Sequence, residues 1–233
     1  MKSTAKLFFV IILFTARQAL AQNEQLIFTS FFQGARDNCA SVALLKSAMY
    51  KYGVGKVVTC QQQAGGIHVT LRNGQAVDLS NDELAASRAA NGFIPSENAD
   101  PSNPVVAHIF GYADTLYAVE AKYIATYGYS GCDGAIVSTQ YNTYALALQF
   151  ISKPGVCTDN VYKYLGLSIT GGIQNYTEQI DFSAMKGVIL YNMPHAIALY
   201  QNQGDGYGTL VPVAPVMKLN KFKFKPKWFI VLN

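Results

Sequence analysis

Cys39 stands at the end of the stretch Gln33-Gly34-Ala35-Arg36-Asp37-Asn38-Cys39, just ahead of a segment in which Ala40, Ala43, Leu44 and Ala48 recur at helical spacing. A thiol in the first turn of a helix meets unpaired amides and the positive end of the helix dipole. Its thiolate is therefore expected to form more readily than that of a free cysteine. A thiolate is the nucleophile of acyl transfer, and the oxyanion that develops on the attacked carbonyl needs donors. The backbone amide of Cys39 is one, and the side-chain amide of Gln33 on the preceding loop is another. The chemistry also needs a base. Of the three histidines, His195 suits best, because it opens a predicted strand whose Ala196 and Ala198 are small enough to let another element approach. His68 alternates with the apolar face of a predicted hairpin, which points it to solvent or to a lobe contact. His108 follows Val105 and Val106 and reads as a strand or packing histidine.

The elements that must carry these residues can be read in outline. A helix is predicted over residues 39–50, capped by Asp37 or Asn38 and stopped by Gly53. Ile67, Val69 and Leu71 alternate with polar residues, and Asn73-Gly74 is a favoured hairpin turn before a returning strand over 75–79. Ser80 and Glu83 form a capping box for a helix to about Ala90, closed by Gly92. Residues 95–104 read as a surface loop, and a helix is predicted over 115–127 with Asp114 as cap and Gly128 as stop. Shorter helices are predicted over 144–151 and 159–165. Strands follow over 188–191 and 195–200, with a turn at Gly204, Gly206 and Gly208 leading to 209–213. Lys and Phe alternate over 221–225, read as an edge strand with protective lysines or a surface for an anionic partner. An apolar strand over 228–232 ends the chain. Helices first and strands later give an α+β class.

The Gln33-Gly34-x-x-x-Asn38-Cys39 segment resembles the Gln-Gly-x-x-Gly-Asp-Cys-Trp segment of calpain-type members of the papain-like cysteine peptidases, and His195-Ala196 resembles that family's His-Ala strand. The step from Gln33 to Cys39 fits the family's spacing between oxyanion-hole amide and nucleophile. The resemblance implies a two-lobe domain, with a helical N-terminal lobe carrying Cys39 and an antiparallel-sheet C-terminal lobe carrying His195. It implies a peptide or protein substrate and no cofactor. Ala40 departs from the family's Trp, Asp37-Asn38 from its Gly-Asp, and no Asn-x-Trp segment is present. A strand folded back through the Gly204–Gly208 turn would set Ala214 to Val216 opposite His195; Asn202 and Asp205, in the turn, read as too far from it, so the candidates are Asn220 reaching the imidazole through a bulge, a Cys–His dyad with no orienter, or an inactive relative. Transglutaminase or amidase chemistry would use the same constellation. A noncatalytic exported binding protein is the remaining reading if Cys39 is tied in a disulfide.

Lys2 and Lys6, the apolar run Leu7 to Phe14, and Ala19-Leu20-Ala21 read as a secretory leader over residues 1–21, with the domain at 22–233. The run is too short to span a bilayer, and no membrane anchor is expected after cleavage. Cleavage takes three of the 18 basic residues and none of the 14 acidic ones, leaving a charge near +1 that gives little support for nucleic-acid binding. A secreted or periplasmic setting favours disulfides. Cys132 with Cys157 would leave Cys39 free for chemistry, whereas Cys39 with Cys60 would abolish it. Asn175-Tyr176-Thr177 matches a glycosylation acceptor. No closely spaced Cys/His set suits zinc, no EF-hand loop suits calcium, and no Gly-rich phosphate loop appears.

Overall fold

Residues 23–29 form a first helix (α1), and Phe31–Gln33 form a short strand (β1) that leads into the Cys39 segment. The fold is seen in a computed structural model that describes residues 23–132, 136–137, 140–153, 156–220 and 222–233. The expected leader, residues 1–21, and Lys221 of the Lys-Phe alternation lie outside the described residues.

Helix α2 runs Cys39–Tyr52, as its alanine, leucine and methionine content favours. Gly53 ends it with a φ of 98°, while its N–H still bonds the Met49 carbonyl at 2.8 Å. Every residue from Ala40 to Tyr50 is buried, so α2 is a central helix with neighbours on all sides.

The predicted hairpin, Gly66–Thr70 (β3) and Ala76–Ser80 (β4), is preceded by an unanticipated strand, Thr59–Gln63 (β2), which pairs with β3. That strand is exposed throughout, so it carries no alternation to betray it. Ser80 caps helix α3 (Asn81–Ala90) through the reciprocal bonds expected of a capping box. Phe93–Pro95 (β5) then pairs with β1.

The next helix, α4, spans Pro104–Tyr127 and does not start at Asp114. Asn103 accepts from the Val105 N–H at 2.9 Å, and Pro104 sits in the first turn where its missing N–H costs nothing. Asp114 is buried in mid-helix, where it accepts from Arg88 Nε at 3.0 Å and Asn91 Nδ2 at 2.7 Å. His108 is helical, not in a strand, and stacks near Tyr112. Tyr129–Ser130 (β6), Ile136–Val137 (β7), Tyr144–Ile151 (α5) and a 3-10 helix at Thr158–Leu165 complete this part.

The second half adds strands β8 (Ile169–Asn175), β9 (Val188–Asn192), β10 (His195–Tyr200), β11 (Gln203–Asp205), β12 (Leu210–Pro212), β13 (Met217–Leu219), β14 (Phe222–Phe224) and β15 (Trp228–Leu232). Six of them form an antiparallel sheet in the order β12-β11-β10-β9-β15-β8, and β13 pairs with β14 beside it. Alternation sets the faces. Ala196, Ala198 and Tyr200 join Ile189, Tyr191 and Ile230 in the core around α2, whereas Ile197 and Leu199 pack with Phe182, Met217 and Phe224 on the other side. The two alanines admit α2 as expected. The class is α+β.

One turn differs from expectation with consequences for the site. β10 reverses at Gln201-Asn202, not at the glycines, and Leu199 pairs with Gly204. A Cβ on Gly204 would lie 2.6 Å from side-chain carbons of both Ile197 and Met217, so this glycine serves close packing within a strand. Residues 205–208, not 214–216, are thereby brought back toward His195.

Cys132 and Cys157 form a disulfide, and Cys39 and Cys60 are free. This bond is compatible with an extracellular protein. No described helix is long and apolar enough to cross a membrane, and among the described residues no group of His, Cys, Asp and Glu could hold a metal ion.

Candidate functional site

The segment before Cys39 is fixed at several points. Gly34 donates to the Gly92 carbonyl at 3.0 Å, and a Cβ there would sit 2.5 Å from that same oxygen, so the approach requires glycine. Asn38 does not cap α2 with its side chain. Its buried amide instead donates to the Asn91 carbonyl at 2.8 Å and to the Tyr117 hydroxyl at 3.3 Å. Gln33, at the end of β1, and Cys39, at the start of α2, thus lie on backbone that packing and hydrogen bonds hold in place.

Cys39, His195 and Gln33 line one small cavity of about 20 Å³, room for roughly a single water, together with Asp205 and Tyr207. The three also line an adjoining open cleft of about 470 Å³ with Asp37, Tyr207 and Phe222. The cleft shares Val156, Thr158 and Met193 with a second hollow of about 510 Å³ that reaches Tyr191 and Trp228. Segments far apart in the sequence therefore meet at one surface depression.

Burial raises the Cys39 thiol above its ordinary pKa. The N–H groups of Ala196, Ala40 and Cys39 favour the thiolate but do not offset that burial, and nearby Asp37 adds to it. The expected lowering by the helix start is thus overturned: removal from water outweighs the amides. His195 is pushed down to about 4 by burial. At neutral pH the resting pair is therefore a neutral thiol and a neutral imidazole. The rate of Cys39 alkylation by iodoacetamide is expected to climb steadily with pH from 5 to 9. A plateau already reached below pH 6 would show a preformed thiolate–imidazolium pair and refute this description.

Asn220 is not among the residues that line the small cavity or the cleft. It takes a φ of 20° after β13 and lines a neighbouring hollow with Lys218, Thr209 and Tyr207. Aromatic rings surround the imidazole instead. Tyr207 stacks on it with centroids 5.9 Å apart and planes 12° from parallel, Phe222 meets it edge-on at 4.9 Å, and Phe224 does so at 5.8 Å. The Lys-Phe alternation is therefore divided between two faces: Phe222 and Phe224 wall the histidine, while Lys223 is exposed and pairs across the hairpin with Lys218. His68 is also accounted for, its Nδ1 2.7 Å from Asp78 on the outer face of the hairpin, and it lines neither the small cavity nor the cleft.

A buried ion pair ties the two sides of the site together. Lys46, two turns along α2 from Cys39, is fully enclosed, and its ammonium donates to the carbonyls of Phe28 (2.8 Å) and Phe31 and to Asp205 Oδ2 (2.6 Å). All three of its protons are used. Burial pulls the Lys46 pKa down and Asp205 opposes that pull. The other oxygen, Asp205 Oδ1, accepts from the Gly208 N–H at 2.8 Å and so fixes the turn that presents Tyr207. Sequence reasoning misses Lys46 and Tyr207 and reads Asp205 as too far from His195; the visible signal is a lone lysine inside the mainly apolar run Ala43 to Met49. Comparison of the chain with protein-family models, with curated proteins and with solved structures gave no match.

Proposed function

We propose that the protein is a secreted cysteine peptidase with a papain-like two-lobe arrangement, in which Cys39 is the nucleophile, His195 the acid–base and Gln33 an oxyanion donor. The observation that carries this reading is the convergence of a free Cys39 at a helix start with His195 and Gln33 on the wall of one open cleft. The cleft's continuation toward Trp228 suits an extended peptide.

The neutral resting pair sets the order of events. As Cys39 Sγ bonds to the peptide carbonyl carbon, its proton passes to the His195 imidazole and the carbonyl electrons move to oxygen. The Cys39 N–H and the Gln33 amide stabilise that oxyanion. The C–N bond then breaks, and the imidazolium returns the proton to the departing amine. Water, deprotonated by the same imidazole, attacks the thioester and releases the acid and the thiol. Because burial disfavours the imidazolium, the proton must move as the bond forms rather than before.

The test is labelling of the purified protein with a thiol-directed acylating peptide probe, followed by mass spectrometry and by analysis of products formed with water and with an amine acceptor. Labelling at Cys39 that requires His195, with a hydrolysed product, is expected. A protein that leaves Cys39 unlabelled while Cys60 reacts would refute the reading. Transfer to the amine in preference to water would assign the site to transglutaminase-type chemistry.

A further inference from the structure

We propose that Tyr207 is the positioning residue for His195, and that its ring, stacked on the imidazole, does the work that a hydrogen-bonding amide would otherwise do. This inference rests on the Cys39–His195 reading above.

Four observations converge on Tyr207. Its ring is the one that lies near-parallel to the imidazole, offset with centroids 5.9 Å apart, and it meets Phe222 edge-on at 6.0 Å, so the rings beside the histidine also contact one another. Its phenol lies close enough to Cys39 and Asp37 for their charged forms to raise its pKa, after the larger effect of burial. The side chain therefore lies near the nucleophile as well as beside the base. It lines both the small cavity and the open cleft. Finally, its backbone sits at a φ of 62°, a conformation that a bulky side chain adopts only when the surroundings impose it.

The surroundings that impose it are identifiable. Gly206 donates to the Thr209 carbonyl at 2.7 Å, and Asp205, clamped by Lys46, holds the Gly208 N–H. Helix α2 thus carries the nucleophile at one end and, through Lys46, braces the turn that aims the base. The rings packed against the imidazole also supply the burial that disfavours its protonated form.

The left-handed backbone makes the test clean. Tyr207→Gly removes the ring and relieves the conformation, which offsets part of the packing lost, and its melting temperature, measured alongside, separates a folding defect from a local one. Two readouts follow in the full-length chain: titration of His195 by NMR of the labelled imidazole, and the alkylation rate of Cys39. Loss of the ring is expected to bring the His195 midpoint back toward the ordinary histidine range and to slow alkylation at pH 7 by roughly 10- to 100-fold, since small misplacements of reacting groups cost about that much. Tyr207→Phe should restore both. A glycine variant with an unchanged His195 titration would overturn the proposal, as would a phenylalanine variant as impaired as glycine, which would assign the role to the hydroxyl. Failure of the peptidase reading is separable: Cys39 would then resist the acylating probe in every variant, while the titration still reports whether Tyr207 holds the ring.

Discussion

Replacing Lys46 by methionine is expected to destabilise the protein by about 3–5 kcal/mol, measured as a shift in the urea midpoint at unchanged slope. Methionine matches much of the apolar stem, so packing loss is small. The damage comes from what is left behind. Asp205, 7 % exposed at its side chain, would hold a charge with no counter-ion, and the carbonyls of Phe28 and Phe31 would lose their donor. The double variant Lys46→Met with Asp205→Leu should recover a large part of the loss, because an apolar pair replaces an ion pair whose own desolvation is costly. Near-identical stability of Lys46→Met and the unchanged protein would show that the pair contributes little, and that the brace between α2 and the Tyr207 turn is not energetic.

The second large effect has the opposite sign. Glu120 on α4 is fully buried, accepts one hydrogen bond from Ser41 at 2.7 Å, and has its other oxygen without a partner among the described residues. Burial pushes its pKa up to about 8 from an ordinary 4.5, against the smaller pull of Ser41. The folded protein thus keeps a proton that the unfolded chain sheds. The associated stability is complete below about pH 4.5 and is lost as pH rises toward 8. Glu120→Gln removes this titration at nearly constant shape. The variant is expected to match the unchanged protein near pH 4.5 and to exceed it progressively, by roughly 3–5 kcal/mol at pH 8. Parallel stability curves for the two proteins between pH 5 and 8 would sink the assignment of a buried, protonated carboxyl.

How much of this was legible in the sequence depended on whether the deciding contact was local. The Ser80–Glu83 capping box, the Asn73-Gly74 hairpin and the span of α2 were readable because each is settled within a few residues. The start of α4 is not legible, because Asn103 and Pro104 read as loop residues but serve as a cap and a first-turn proline, while Asp114, which resembles a cap, is held in mid-helix by Arg88 and Asn91. The glycines after β10 suggested a turn, but the space around Gly204 is set by Ile197 and Met217, which only the folded sheet brings together. That shift placed Tyr207 against the imidazole where Asn220 was one candidate. Cys39, Gln33 and His195 were legible as candidates because their chemistry is unusual in their contexts. Their electrostatics were not: helix position favours a thiolate, and only the enclosed surroundings reveal that burial prevails.

The three acceptors of Lys46 also dictate when the chain can close. Two lie near its beginning, at Phe28 and Phe31, and the third, Asp205, comes 159 residues after the lysine. During synthesis the early helices must wait, with that ammonium still hydrated, until almost the whole polypeptide has emerged. Such non-local closure belongs to slow-folding topologies, and it makes fragments that stop short of β11 expected substrates for proteolysis rather than folded intermediates.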